Sequence, residues 1–143
     1  MSSNPSRPEI PSDMKAHNQK LIEEFRAHGG RLSGPMAGRE PMLLTTTGAK
    51  SGQPRTVVLG YRRDADRLLA IASNNGSDVA PHWYHNLQRD PNVTIELGPE
   101  RFHARARTAE VSERGALAPK IDYFERQQAL TRRQIPIVIF ERV

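Results

Sequence analysis

The chain reads as an α+β protein. About six short, mainly antiparallel strands curl into a small barrel, with helices ahead of them, among them and near the end. Three observations point there. Apolar residues recur at helical spacing early in the chain, then give way to short β-branched runs from Met42 onward. Most of those runs are joined by short Gly-, Asn- or Asp-containing turns, which connect antiparallel neighbours. The strand–helix alternation of a doubly wound parallel sheet is absent.

The elements follow in order. Residues 1–11 carry three prolines and read as a disordered arm, ahead of one domain over 12–143. Ser12 is placed to cap a helix over about 14–28, with Met14, Leu21, Ile22 and Phe25 on one face and Gly29-Gly30 at its end. Residues 31–40 are punctuated by Gly and Pro and read as a loop. Met42–Thr47 is a strand, Gly48–Gly52 a turn, Arg55–Arg63 a second strand and Asp64-Ala65-Asp66 a hairpin turn. Leu68–Ser73 is a third strand, apolar without interruption over Leu68–Ala72, and so expected to be buried on both faces.

Asn74-Asn75-Gly76-Ser77-Asp78 favours positive φ. Pro81 suits the first turn of a short helix to about Arg89, which Asp90-Pro91-Asn92 closes. Val93–Leu97 and Phe102–Ala109 form a hairpin turning at Gly98-Pro99. Ser112 is placed to cap a helix to about Leu130, with Pro119 as a kink or break. Ile137–Phe140 is the last strand, entered through Pro136, which has no N–H to give a ladder.

Composition excludes several classes. The longest apolar run is the five residues Leu68–Ala72, far short of the roughly 20 that span a bilayer. The chain has no cysteine, which removes disulfides, thiolate metal sites and cysteine nucleophiles. No apolar leader opens it, so a cytoplasmic location is expected. The net charge is +5, and the stretch from Pro41 to Arg63 carries Lys50, Arg55, Arg62 and Arg63 with no acid. From Pro81 onward, ten basic residues nearly balance eight acidic ones. One local positive stretch points to a single anionic ligand, whereas a nucleic-acid binder would carry a basic face and stacking aromatics.

The strongest motif is Thr45-Thr46-Thr47-Gly48-Ala49-Lys50-Ser51-Gly52-Gln53-Pro54-Arg55. Two glycines permit a tight turn with exposed N–H groups, and Lys50 and Arg55 flank it. Exposed amides beside fixed cations make an anion site. It is not a P-loop, because Ala49 and Leu44 stand where that motif needs glycine. An ordinary turn with two solvated cations fits the composition equally well. Ser73-Asn74-Asn75-Gly76-Ser77 is a second polar loop, able to donate to a phosphate or to serve as a plain connection. Trp83, Asn86 and Leu87 share a helix face. They either line a flat ligand or pack as core, with Asn86 capping a local backbone group. His82 and His85 lie three apart, with their nearest acids beyond the helix ends, so no metal site is expected.

Together, Leu44–Arg55, Ala72-Ser73-Asn74, Pro81–Leu87, Asp90–Val93 and Ile135–Val138 resemble, in order, the deazaflavin-dependent nitroreductase family of actinobacteria, whose members use coenzyme F420. The resemblance spans about residues 41–141 and implies a split β-barrel. It implies that Lys50 and Arg55 hold the cofactor phosphate, with Ser51, Gly52, Gln53 and Pro54 as the turn that wraps it. It places Val57, Val58 and Leu59 along the deazaflavin ring, Ser73 and Asn74 at a second phosphate and ring loop, and Trp83 and Asn86 on the bracing helix. Some members carry lysine where this chain has Asn74 and tyrosine where it has Gly60. The tyrosine-rich segment before the last strand is reduced to Tyr123 and Phe124.

The implied reaction is hydride transfer from reduced F420 to a conjugated acceptor (an enone, quinone or nitro-aromatic), with Ser73 as the candidate proton donor and Tyr123 behind it. The substrate is expected to enter between Leu21, Ile22 and Phe25 and the segment near Tyr123. The alternatives are an FMN-dependent enzyme on the same barrel type and a non-catalytic protein that binds F420 or an apolar ligand. Neither a metal nor a nucleic-acid partner is expected. The assembly is a monomer or a homodimer. Lys15, Lys20 and Arg26 on the first helix give at most peripheral contact with the inner face of the plasma membrane, offset by Glu23 and Glu24.

Overall fold

The computed structural model describes residues 14–34 and 40–143. The chain runs α1 (Met14–Ala27), β1 (Met42–Thr47), β2 (Pro54–Leu59), β3 (Arg62–Asp64), β4 (Arg67–Ile71), α2 (His82–Arg89), β5 (Asn92–Leu97) and β6 (Glu100–Thr108). It continues through α3 (Val111–Leu117), a 3₁₀ turn (Ala118–Lys120), α4 (Phe124–Gln128) and β7 (Ile137–Arg142). The arm over 1–11, the Ser12 cap and the Met14 side chain lie outside the described residues.

Among the described residues the strands form one antiparallel sheet in the order β2-β1-β5-β6-β7-β4-β3. Its two edge strands, β2 and β3, are consecutive in the chain and separated only by Gly60 and Tyr61. Extended chain advances at most about 3.6 Å per residue, so Leu59 and Arg62 lie within about 11 Å of each other. The sheet must therefore curl until its edges meet, which makes it a barrel.

The strand expected over Arg55–Arg63 is thus two strands, and the tally is seven. Its first half pairs with β1, Met42 opposite Leu59, and its second half with β4, Arg62 opposite Leu69. Gly60 marks the fork, because a residue without a side chain holds a strand least firmly. The barrel is split there. Continued past Arg62, the β3–β4 register would set Gly60, Leu59 and Val58 across from Ile71, Ala72 and Ser73. Instead the chain turns away to β1 and leaves an unpaired cleft.

Burial follows the two-residue alternation of a strand. Met42, Leu44, Leu68, Ala70, Ile95, Ala104, Val138 and Phe140 fill the barrel, and α2 closes one end with Trp83, Tyr84 and Leu87. On the outside, α1 packs Ile22 and Phe25 on Leu43 and Val58. The α3–α4 segment lays Leu117, Ile121 and Phe124 on Leu69, Ile71, Ile137 and Ile139. β4 divides its residues between the inner and outer cores, as its unbroken apolar run predicts.

Arg26 of α1 reaches the sheet and donates through Nε and Nη2 to the buried Glu96 carboxylate, at 3.1 and 2.9 Å. That contact raises the Arg26 pKa and ties a helix cation, read above as facing a membrane, to the barrel.

The expected Ser112 cap is displaced. The helix starts at Val111, where the Glu113 carboxylate accepts from the Glu110 N–H at 3.0 Å. Arg107, followed by that N–H, holds Glu113 down to about pKa 2. The helix breaks at Pro119, as its sequence predicts, and resumes as α4.

Gly30 (φ +94°) meets the Gly98 turn so closely that a Cβ there would lie 2.6 Å from the Gly98 Cα. Backbone on both sides leaves nothing to swing aside. Gly30→Ala is expected to lose about 2–3 kcal/mol, from strain at positive φ plus that collision, in urea unfolding. A loss under about 0.5 kcal/mol would contradict the close approach.

Candidate functional site

β1 delivers the hydroxyl run into the Gly48–Gly52 turn, and β2 carries the chain away from it. The turn closes on itself through Gly48 N–H to Gln53 O at 2.8 Å and Gly52 N–H to Gly48 O at 2.9 Å. Gly52 has φ +70°. A Cβ at Gly48 would lie 2.6 Å from Ser51 Oγ, so the tightness of the turn depends on that glycine.

Asn86, buried on α2, fastens the turn from beneath. Its Oδ1 accepts from the Ala49 N–H at 3.0 Å, and its Nδ2 donates to Thr46 Oγ1 at 3.0 Å. Trp83, on the same helix face, lies in the inner core. The structure therefore gives these two residues bracing contacts within the protein.

The outer side of the turn is rich in donors. Among the described residues Lys50 Nζ and the Lys50 and Ser51 amides have no partner, and Arg55 makes only a 3.5 Å contact with Ser51 Oγ. Gln53 N–H donates to the same Oγ at 3.2 Å. An open cavity of about 500 Å³ runs along Thr47–Gly52 and reaches Arg89 and Asp90. Asp90 accepts from the Asn92 N–H and Nδ2 at 3.1 and 3.0 Å, so hydrogen bonds already engage its carboxylate. Two cations, unpaired amides and a hydroxyl suit a phosphate, and Arg89 adds a third cation. The sequence reading missed Arg89, whose only local signal is its place in the last turn of α2.

The four cations between Pro41 and Arg63 do not form one cradle. Arg62 lies at the opposite sheet edge from Arg55. Its Nε donates to Asp122 at 2.7 Å, which raises its pKa, and its guanidinium sits 4.7 Å over the Tyr123 ring. Arg63 stands 6.0 Å over the Tyr61 ring. Charge summed along a chain does not see that the two ends of a split strand belong to different edges.

Val57, Val58 and Leu59 lie on β2, which has a neighbour on one side only. Val57 and Leu59 pack inward, while Val58 packs outward against α1. Ser73 and Asn74 follow β4 on the far side of the cleft. Asn74 and Asn75 have φ 50° and 55°, ahead of Gly76 at 76°. The Ser73 hydroxyl has no partner among the described residues, and Asn74 Nδ2 donates to Val79 O at 3.2 Å.

Tyr123 precedes α4, and a Cβ on Gly60 would lie 3.7 Å from its hydroxyl. Of the two proton-donor candidates, Tyr123 thus stands at the fork beside Gly60, whereas Ser73 lies on the β4 side of the cleft, away from the fork, and no contact links them. Burial pushes the Tyr123 phenol above its ordinary pKa, and Arg62 opposes the shift. Lys120 bonds Asp64 and Asp122 bonds Arg62, so two ion pairs hold the segment before Tyr123 against β3. Ile22 and Phe25, expected to line an entrance, are buried against the barrel instead, leaving Leu21 partly exposed.

A second missed residue is Arg133. Its Nη2 donates to the carbonyls of Ala72, Ser73 and Ser77 at 3.0, 3.0 and 3.2 Å. Those partners lie 56–61 residues away in sequence, so no local signal could have found it. Among the described residues no cluster of three or more His, Asp or Glu is arranged to hold a metal. No helix there is long and apolar enough to cross a membrane.

Residues 18–142 match the family described as F420H(2)-dependent quinone reductase. An F420H(2)-dependent quinone reductase of Mycobacterium tuberculosis is 37% identical over 131 residues, which is 82% of this chain and 85% of that protein. A solved structure of an F420-H2 dependent reductase shares 32% identity with a TM-score of 0.63, covering 72% of this chain and 95% of that one. Another, described as a domain-swapped dimer, shares 30% identity with a TM-score of 0.66, covering 86% and 93%.

Proposed function

From the premise that this chain belongs to the F420H2-dependent quinone reductase family, we propose that its cleft reduces a quinone, and we assign the residues that do so. The observation that carries the assignment is the juxtaposition of an unpaired cationic turn with the one-sided strand β2. The enzyme is an F420-dependent oxidoreductase, and reduced F420, when bound, supplies the hydride.

Lys50 and Arg55, with the Ser51-Gly52-Gln53-Pro54 turn, hold the cofactor phosphate, and Arg89 adds charge at the rim. The open edge of β2 at Val57–Leu59 supports the ring, and Ser73 and Asn74 face it across the cleft. Asn86 and Trp83 brace this set from within. The quinone lies near the fork, where the elements that wall the cleft exclude water: α1 behind Val58 and the pinned Tyr123 segment beside Gly60.

A quinone that accepts a hydride becomes a hydroquinone anion and needs one proton. Ser73 Oγ is the first candidate donor and Tyr123 Oη the second. The raised Tyr123 pKa keeps the phenol protonated at neutral pH, so it can donate a proton there but cannot act as a base. Tyr123→Phe is expected to lower kcat for quinone roughly tenfold, leave F420 affinity unchanged and remove any activity loss seen above pH 10. An unchanged kcat would leave the proton to Ser73.

The test of the function is anaerobic oxidation of reduced F420 by a naphthoquinone panel, beside binding titrations with F420, FMN and FAD. One hydroquinone formed per F420H2 consumed is expected. Tighter binding of FMN than of F420 would overturn the cofactor assignment. A homodimer is the favoured assembly, because one similar structure is a domain-swapped dimer. Light scattering that gives the mass of one chain would exclude it.

A further inference from the structure

We propose that Arg133 is a positioning residue for the cofactor loop: it gathers the loop's carbonyls behind the cleft and thereby sets the affinity for F420. The inference rests on the functional reading above. Its observations concern this chain alone.

Three successive residues, Asn74, Asn75 and Gly76, have left-handed φ. Non-glycine residues seldom adopt that conformation, and two in a row persist only where the surroundings hold them. Two internal hydrogen bonds, Gly76 N–H to Ser73 O and Ser77 N–H to Asn74 O, both at 3.0 Å, close the loop but do not anchor it to the barrel. Arg133 supplies anchors from outside. One guanidinium donates to the carbonyls of Ala72, Ser73 and Ser77, and its Nε adds a second contact to Ser77 O at 3.3 Å. The loop is thereby held at both ends by one planar cation, a geometry that a single ammonium cannot reproduce.

Arg133 is itself fixed. Its N–H donates to Thr131 Oγ1 at 3.1 Å, its carbonyl accepts from Gln128 Nε2 at 2.6 Å, and the Thr131 hydroxyl donates to Asp78 at 2.9 Å. Leu130 completes the mould: a Cβ on Gly76 would lie 2.5 Å from the Leu130 Cβ.

The consequence falls on the other side of the loop. With the carbonyls drawn to Arg133, the Asn74 and Asn75 backbone N–H groups and the Ser73 hydroxyl have no partner among the described residues. Successive backbone N–H groups in a turn make an anion-binding concavity. Arg133 need not touch the cofactor. It holds ready the donors that do.

The test compares Arg133→Met, Arg133→Lys and, as a neighbouring control, Arg132→Met. Arg133→Met is expected to weaken F420 binding at least fivefold in a fluorescence titration and to raise the KM for F420H2 alike. The quinone KM and the kcat at saturating F420H2 should stay within twofold. Arg133→Lys restores part of the affinity, and Arg132→Met changes it less than twofold. In the cofactor-free protein, Arg133→Met speeds amide exchange at Gly76 and Ser77 at least tenfold.

Should Arg133→Met not fold, Gly76→Ala perturbs the same loop through Leu130 and is expected to give the same KM pattern with the guanidinium in place. Unchanged F420 affinity in Arg133→Met would overturn the proposal, whatever the exchange shows. A parent protein that does not bind F420 would overturn the cofactor reading, and with it the cofactor half of this inference, while the exchange result still reports on the hold Arg133 has over the loop.

Discussion

Replacing Lys50 and Arg55 together by alanine is expected to weaken F420 binding ten- to a hundredfold. A charge-assisted contact contributes about 1.5–3 kcal/mol, so two at the lower bound amount to about 3 kcal/mol, or slightly more than two decades. Both side chains are exposed, and solvent screening brings the lower end of the range down to one decade. The loss should shrink as salt is raised, because screening already weakens the parent's contacts. Thermal stability should not fall, since neither cation has an acidic partner among the described residues. Isothermal titration at two ionic strengths checks both statements. An affinity that ignores the double change would remove the anion-site reading of the Gly48–Gly52 turn.

Asn86→Leu is expected to cost about 2–4 kcal/mol of stability and to weaken F420 binding several-fold. The substitution leaves two groups without partners, the Ala49 N–H and the Thr46 hydroxyl. Thr46 is 2% exposed, so water cannot replace the lost partner there. A buried polar group stripped of its partner costs about 1–3 kcal/mol. For a domain of this size that corresponds to a fall in Tm of about 5–15 °C. Thr46→Val provides the contrast. It removes the hydroxyl but keeps the Asn86 bond to Ala49, so stability should fall with little change in affinity. If both variants lowered affinity equally, Asn86 would not be acting through Ala49.

Local chemistry made most of the elements legible in the sequence. Met42–Thr47 has the bounds read from its β-branched run, and the Asn-Asn-Gly loop has the positive φ that its residues favour. The unbroken run Leu68–Ala72 was readable as a strand between two cores, because each alternate residue needed an apolar neighbour. The candidate site is legible where its residues are contiguous, as in the turn over Lys50–Arg55.

It was not legible where strands or loops from distant segments meet. Nothing near Arg55–Arg63 in the sequence says that its halves belong to different edges. Gly60 was visible only as a missing side chain. Arg62 read as part of a phosphate cradle because its neutralising partner, Asp122, lies 60 residues on. Arg133 ends a plain Thr-Arg-Arg run with no periodicity to mark it. The displaced cap at Glu110 is a smaller case, in which the Glu113 carboxylate satisfies the helix start that Ser112 is expected to serve.

The fork at Gly60–Tyr61 also says what sets the width of the cleft. No ladder joins β2 to β4, so backbone hydrogen bonds do not fix the distance between the two lips. A two-residue covalent tether does, at one end only, like the pin of a hinge. A chain circularly permuted to begin at Tyr61 would keep every strand pairing of the sheet and lose only that pin. Widening the cleft at its far end, by Ser73 and Asn74, would therefore break no sheet hydrogen bond, and a flat guest entering edgewise there would unzip no strand.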